Sequence, residues 1–441
     1  MKKIIKISAL FGLLLPLAFT SCDNPAFYGV SEDVVSEDAT VSGTIGQITR
    51  YTASGTEFLV VNADDGLRYK LASNRTHGSW KTYGSLPFSL HSYDYYGEKH
   101  NGEQIIKIVA DDAYLYMLSC SYKNDNDEGT VAPDVLTLRC AKITSSDGVT
   151  WDSGATWTTL DESTSTDSSA IFKVYKYSST GYYYSAFALF STNSINPAHR
   201  AVFIRSGKHV AVNTSSGSEW RNVSYYQVKN GAINSYTPAS VWYGDDNYTD
   251  LDTDKYSRNI YGVAYNGSGF TFFCNPAVTT NEYYSDMTYT NLASNTTYVE
   301  PTYIYYGYGS TLCYMTGGAY AGSISASRTI SALAVCNDAI IIGMGTWDAS
   351  SGYSTYGGIT KSPLSSWIPT GTTSFSTNAE SQITSGYHVF ALLNANPSEA
   401  ETESALYAAI AFAGSGSSTG VSYSNIGLWS YYPSRGNWNR E

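Results

Sequence analysis

Six times along the chain a small or polar residue precedes an aromatic one that opens a short strand-like run. The pairs are Ser79-Trp80, Thr156-Trp157, Glu219-Trp220, Thr297-Tyr298, Ser366-Trp367 and Asn437-Trp438. Their spacings are 77, 63, 78, 69 and 71 residues, about 72 on average. A fixed period of this kind means repeated units that bury their apolar faces against one another rather than within themselves. A second landmark keeps step. An alternating apolar strand enters a polar turn and leaves as another strand at Lys107–Tyr116, Tyr261–Phe270 and Ala332–Ile341, with looser copies at Phe58–Tyr69, Phe172–Tyr184 and Val389–Phe412. Each unit therefore reads strand, tight turn, strand, longer loop, strand, turn, aromatic-led strand. Four antiparallel strands repeated at a fixed period describe a β-propeller blade.

The expectation is an all-β chain forming a single β-propeller over 44–441, with six blades of four antiparallel strands. A missed seventh blade would fall around Tyr303 to Tyr320. The last unit is the clearest: His388–Leu393, Ala405–Phe412, Ile426–Tyr432 and Asn437–Glu441. The chain ends as that blade is completed, as a closed ring expects, and Thr44–Thr52 is the candidate for the strand that the first unit lacks. Composition agrees. Charged residues are 15%, apolar residues 42%, and there are 40 Tyr and 38 Gly, which favours short strands and polar turns over helices, disorder or several membrane spans.

The amino terminus reads as an address. Lys2, Lys3 and Lys6 precede an apolar run from Ile7 to Phe19, then Thr20-Ser21-Cys22. A basic start, a short apolar core and small residues before a cut form a secretory signal, and the core is too short for a stable span. Phe19-Thr20-Ser21-Cys22 resembles a relaxed bacterial lipobox, of the looser kind found in spirochaetes. The resemblance implies removal of residues 1–21, acylation of Cys22, and a bacterial lipoprotein held at the membrane on the periplasmic or cell-surface side. Two or three acyl chains anchor firmly where one is marginal. Residues 22–43, acidic and Ser-rich, read as a tether. The net charge is −12, and loss of the leader takes it to −15. That excludes the basic footprint of a nucleic-acid binder and leaves the lipid, not charge, to hold the protein at a membrane. Of the other cysteines, Cys120 and Cys140 flank one hairpin and are the candidate bridge; the alternative is that several are simply small buried residues.

Thr150, Asp152, Gly154, Thr156 and Trp157 fit the Asp-box pattern Ser/Thr-x-Asp-x-Gly-x-Thr-Trp at every defined position. Eroded copies lie at Ser73–Trp80, Asn213–Trp220 and Thr360–Trp367. In these residues the chain resembles the Asp-box (BNR-repeat) propellers, the group that includes sialidases. The resemblance implies a structural hairpin between third and fourth strands, away from the binding face. It also raises a sharper possibility, a sialidase with three arginines clamping a carboxylate and a Tyr–Glu nucleophile pair. The Arg-Ile-Pro motif of that family is absent.

Other candidates carry less. Asp64-Asp65 and Asp111-Asp112 look like paired catalytic carboxylates, but their recurrence at one blade turn, with Asn337-Asp338 as a third copy, reads as turn formation. Asp250, Asp252 and Asp254 have the alternate spacing of a calcium loop, yet Lys255 stands where Gly is needed; Asn124–Gly129 is a second weak calcium candidate. No cofactor motif, catalytic His spacing or nucleophile elbow is present. The resulting expectation is a lipid-anchored, non-enzymatic propeller that binds a protein or a glycan, with a divergent glycoside hydrolase of the sialidase-like group as the alternative. Contacts are expected on the loops 121–134, 225–257 and 274–296.

Overall fold

The computed structural model describes residues 41–441 apart from 42–44 and several connections, chiefly 94–98, 122–134, 145–155, 165–170, 177–182, 212–217, 237–259, 275–286, 291–301, 305–310, 374–386 and 413–421. The chain is an all-β propeller of four-stranded antiparallel blades. Sheet I holds strands Ile48–Ala53, Thr56–Ala63, Gly66–Leu71 and Lys81–Thr82; sheet II holds Glu103–Ala110, Leu115–Ser121, Val135–Ala141 and Thr158–Thr164. Sheet III holds Phe187–Ser191, Val202–Ala211, Ser218–Lys229 and Ala232–Tyr236; sheet IV holds Ile260–Tyr265, Phe270–Cys274, Thr311–Thr316 and Ala319–Ser325. Sheet V holds Ile330–Val335, Ala339–Asp348, Tyr353–Ser365 and Ile368–Pro369; sheet VI holds Tyr387–Asn394, Leu406–Phe412, Ser422–Tyr431 and Trp438–Arg440. The first strands of successive sheets touch in turn, and that of sheet VI touches that of sheet I, so the order closes on itself.

The second strands show why these residues build this architecture. In Phe58-Leu59-Val60-Val61 side chains alternate between the two faces of the sheet. Phe58 and Val60 pack with Ile105, Ile108 and Met117 of sheet II, whereas Leu59 and Val61 pack with Phe390, Leu393 and Tyr407 of sheet VI. Ile340 and Ile342 face sheet IV, while Ile341 between them faces sheet VI. A sheet covered on both faces requires a continuous apolar run rather than strict alternation. Tight turns between strands use left-handed residues: Ser54 and Gly55 at φ 47° and 81°, and Asn230 and Gly231 at 54° and 71°, the pattern of a two-residue hairpin turn.

Sheets I and VI are joined through Glu441. Its amide donates to the Leu428 carbonyl (2.8 Å), and its carbonyl accepts from Val41 (2.9 Å). Its buried carboxylate oxygen Oε2 accepts from Lys70 Nζ at 2.7 Å and from Trp80 Nε1 at 2.9 Å. Lys70 Nζ also donates to the Thr76 carbonyl and lies over the Trp80 and Tyr407 rings at 5.5 and 5.4 Å. Burial draws the Lys70 pKa down, and the Glu441 carboxylate opposes that shift. Packing thus reaches back to Val41 and Ile45, both buried against sheet VI.

The structure corrects several sequence expectations. Trp220 does not lead a fourth strand; it lies within the third strand of sheet III, because that sheet's central hairpin is prolonged by the pairs His209↔Trp220 and Lys208↔Arg221. Phe58–Tyr69 forms second and third strands rather than first and second, and the missing first strand is Ile48–Ala53. Phe172–Tyr184 does not give the inner hairpin of sheet III. Tyr175–Lys176 and Tyr183–Ser185 instead pair with Met287–Thr290 and Thr302–Ile304 in a small separate sheet. Cys120 and Cys140 do not bridge: Cys140 is a free buried thiol. Cys120 faces Leu136 and Cys140 faces Tyr116, four positions out of register and so about 13 Å apart along the strands, well beyond disulfide reach. Burial pushes the Cys140 thiol pKa up to about 11.

Two stability predictions follow from buried groups. Glu441→Ala strands the Lys70 ammonium between rings, so unfolding free energy in urea should fall by about 3–5 kcal/mol; a loss under 1 kcal/mol would show that this junction does not hold the ring. His388 is wholly buried at the start of the innermost strand of sheet VI, its ring 4.2 Å from that of Phe390. It packs where a Cβ on Gly345 would sit only 2.4 Å away. Burial lowers its pKa to about 3. An unfolded imidazole titrates near 6.5, so between those values the unfolded chain binds more protons. Stability is therefore full above about pH 6.5 and declines on acidification by up to about 1.4 kcal/mol per unit. Melting curves from pH 7 to pH 4 should show that decline, and His388→Asn should flatten it.

Candidate functional site

Antiparallel alternation fixes which loops share a face. In every sheet the turns joining strands one and two, and three and four, lie on one side; the loops joining strands two and three, and the links between sheets, lie on the other. The small sheet combines a link between sheets II and III with the second-to-third loop of sheet IV, so it belongs to this second face. The first strands surround a small central cavity of about 60 Å³. Each sheet contributes: Gln47 just before the first strand of sheet I, then Lys107, Ser191, Tyr261, Leu333 and Leu392 from sheets II to VI. Thr192, Asn193 and Asn394 add polar atoms.

Beside this cavity, at the side of the first-strand turns, lies a buried ionic group. Arg50 Nη1 and Arg200 Nη2 share the two carboxylate oxygens of Glu57, the latter at 2.7 Å. Arg50 also donates through Nε and Nη2 to the Asn394 carbonyl (3.1 and 2.6 Å) and through Nη2 to that of Asn396 (2.7 Å). Arg200 donates to Thr52 Oγ1 at 2.8 Å and to the Ser194 carbonyl at 2.7 Å. Burial lowers the Arg200 pKa, and Glu57 offsets this. Asn193, held at φ 45°, accepts from Thr49 Oγ1 at 2.7 Å. These bonds tie sheet I to sheets III and VI, and sheet III is not its neighbour in the ring. A guanidinium suits the task because its planar fork meets carboxylate and carbonyl oxygens at once. Two arginines do converge near the axis, but their donors are directed at the protein's own oxygens.

The Asp111-Asp112 turn behaves as a structural turn. Asp111 is buried and accepts from the amides of Ala113 (2.8 Å), Tyr114 (2.6 Å) and Asn230 (3.1 Å), and from the Tyr116 hydroxyl. Burial raises its pKa, against the pull of those donors. Asp338 makes an ion pair with Lys361 at 3.0 Å. Trp157 packs on Tyr83, ring centroids 6.4 Å apart, between sheets I and II and not in the cavity wall; Thr156 beside it precedes the fourth strand of sheet II. Thr150, Asp152, Gly154, Cys22, Asp250, Asp252, Asp254 and Asn124–Gly129 lie outside the described residues. Among the described residues no three His, Cys, Asp or Glu side chains gather as metal ligands. Sequence reasoning missed the cavity-facing residues and the Arg50–Glu57–Arg200 group. The available hint was polar residues within otherwise apolar first strands, such as Arg50 and Lys107.

No family model matches the chain, and no curated protein sequence matches it. Solved structures are similar at low identity. One is described as a study of the GH130 family of mannoside phosphorylases, with glycoside hydrolases targeting β-1,2 mannosidic linkages in Candida mannan: 9% identity, 90% of this chain, 86% of that one, TM-score 0.33. A second is a glycosyl hydrolase from Bacteroides ovatus: 10% identity, 90% and 86%, TM-score 0.29. A third is a B. megaterium levansucrase variant: 10% identity, 76% and 82%, TM-score 0.29. At these scores the chemistry has to be argued from this chain's own geometry.

The ionic group yields a direct test. Glu57→Gln removes the one charge that two buried guanidinium groups share, and stability should fall by about 3–5 kcal/mol. A melting temperature unchanged within error would mean that the group is solvated and free to meet a ligand.

Proposed function

We propose that the protein is a lipid-anchored propeller of six blades that binds a neutral glycan at the open side of its central channel without cleaving it. The blade count is supported by the cyclic order of the first strands and by the apolar clusters between each successive pair of sheets. The observation that carries the binding reading is the chemistry of the cavity wall. It is lined by Gln47, Ser191, Thr192, Asn193 and Asn394 together with Phe190 and Tyr261, the buried Ser191 hydroxyl has no partner among the described residues, and no Asp or Glu is among the lining residues. Amides and hydroxyls exchange hydrogen bonds with sugar hydroxyls, and aromatic faces pack on sugar C–H surfaces. Most glycosidic cleavage uses two carboxyl groups flanking the bond, and the sialidase variant replaces the nucleophilic one by a tyrosine. The leader and the Phe19–Cys22 sequence support attachment through acylated Cys22, with the acidic, Ser-rich stretch that follows it as a spacer.

Binding of neutral oligosaccharides should be screened by calorimetry against wild type and Tyr261→Ala. The expected result is retention of fold with affinity reduced tenfold or more, a loss of about 1.4 kcal/mol or greater. Equal affinity in the variant would exclude the channel. Release of reducing sugar from a bound glycan would replace the binding reading by the glycoside hydrolase, its carboxylates then coming from the loops around the mouth. Cys22→Ala should move the protein out of the detergent phase and abolish incorporation of a fatty-acid analogue; unaltered partitioning would remove the lipid anchor.

A further inference from the structure

The two central strands of sheet IV bring two cysteines opposite each other. Phe270–Cys274 pairs antiparallel with Thr311–Thr316 in the register Thr271↔Thr316, Phe272↔Met315, Phe273↔Tyr314 and Cys274↔Cys313. Directly opposed residues of an antiparallel pair project to the same face of the sheet, with Cα atoms about 4.5–5.5 Å apart. That range lies within the separation a disulfide spans. The contrast with Cys120 and Cys140, four positions out of register, is one of geometry alone.

The position within the chain gives the pairing a role. Cys274 is the last residue of its strand, and Cys313 lies near the start of the next. Between them runs the second-to-third loop of sheet IV, which contributes Met287–Thr290 and Thr302–Ile304 to the small sheet on the face of the channel mouth. A covalent link at this point closes the loop at its root. Cross-linking the ends of a long loop removes conformational freedom chiefly from the unfolded chain.

We infer that Cys274 and Cys313 are joined by a disulfide in an oxidising compartment, clamping the root of the 275–312 loop beside the channel mouth. The bond forms by exchange. One thiolate attacks a low-molecular-weight disulfide such as oxidised glutathione and expels one reduced thiolate. The second cysteine thiolate then attacks the mixed disulfide and expels the other. Two protein thiols and one glutathione disulfide become one protein disulfide and two glutathiones.

The test uses the full chain, equilibrated with a reduced and oxidised glutathione mixture, then denatured in the presence of iodoacetamide. Cleavage before Asp254, Asp286 and Asp338 separates the two cysteines onto the peptides 254–285 and 286–337. The expected product is those peptides joined, two hydrogens lighter than their sum, with Cys274 and Cys313 as the linked positions in the fragment spectrum. Reductant should separate them, and Cys313→Ser should leave Cys274 open to alkylation. Alkylation of both cysteines in the wild-type chain, or a link from either one to Cys336, would overturn the assignment. A protease cut within 275–310 supplies an independent reading: the two halves should stay together on a denaturing gel until reductant is added, and separation without reductant would also overturn it.

Discussion

A sheet with apolar side chains on both faces must be covered on both, and that requirement organises the whole molecule. Sheet I would expose either Phe58 and Val60 or Leu59 and Val61 if it had only one neighbour. Adding sheets in sequence only moves the uncovered face to the end of the row. Closure into a ring removes it, and here the closing contact is made in backbone bonds between Val41 and Glu441 and in a carboxylate buried against sheet I. An ion pair sealed from water gains little net free energy over an apolar contact of the same shape. Its value lies in register: Lys70, Trp80 and Glu441 satisfy one another in one relative placement of sheets I and VI, where apolar packing alone tolerates sliding.

The same logic extends to the axis. Neighbouring sheets are fixed by side-chain packing, but opposite sides of a ring touch only near the centre. The Arg50–Glu57–Arg200 group works there, with Asn193 and the Asn394 and Asn396 carbonyls, connecting sheet I to sheets III and VI. Polar atoms at that place must be satisfied because water has limited access to them. One side of the channel is tied off in this way; the inter-sheet links and the small additional sheet lie at the other.

Legibility from the sequence followed the range of the interactions. Strands and tight turns were readable because alternation and turn residues act over a few positions. Lys107–Tyr116, Tyr261–Phe270 and Ala332–Ile341 are inner hairpins as expected, and the last unit matches strand by strand. The aromatic landmark failed at Trp220, because a residue's place within a blade depends on how far its hairpin extends, and Trp220 falls in an extension paired with His209. The peripheral sheet was invisible because its strands come from the link between sheets II and III and from a loop of sheet IV, more than a hundred residues apart. Arg50, Glu57 and Arg200 carry no motif; their meeting is a product of ring closure. For the cysteines, proximity in sequence favoured Cys120 and Cys140, while strand register brings Cys274 opposite Cys313.

The arginines also bear on whether an acidic ligand could be clamped near the axis. An arginine clamp works on a ligand carboxylate only if its donors are unspent until the ligand arrives. Here Glu57 occupies that role permanently, and backbone carbonyls of Asn394, Asn396 and Ser194 take further donors. Displacing Glu57 would return its half-buried carboxylate to water while leaving Arg50 and Arg200 dependent on the incoming acid, an exchange of one carboxylate for another with no net gain in pairing. The cavity wall is otherwise neutral save for Lys107. On the proposed reading, recognition there would rest on shape and polar pairing with a neutral polyhydroxylated ligand rather than on charge.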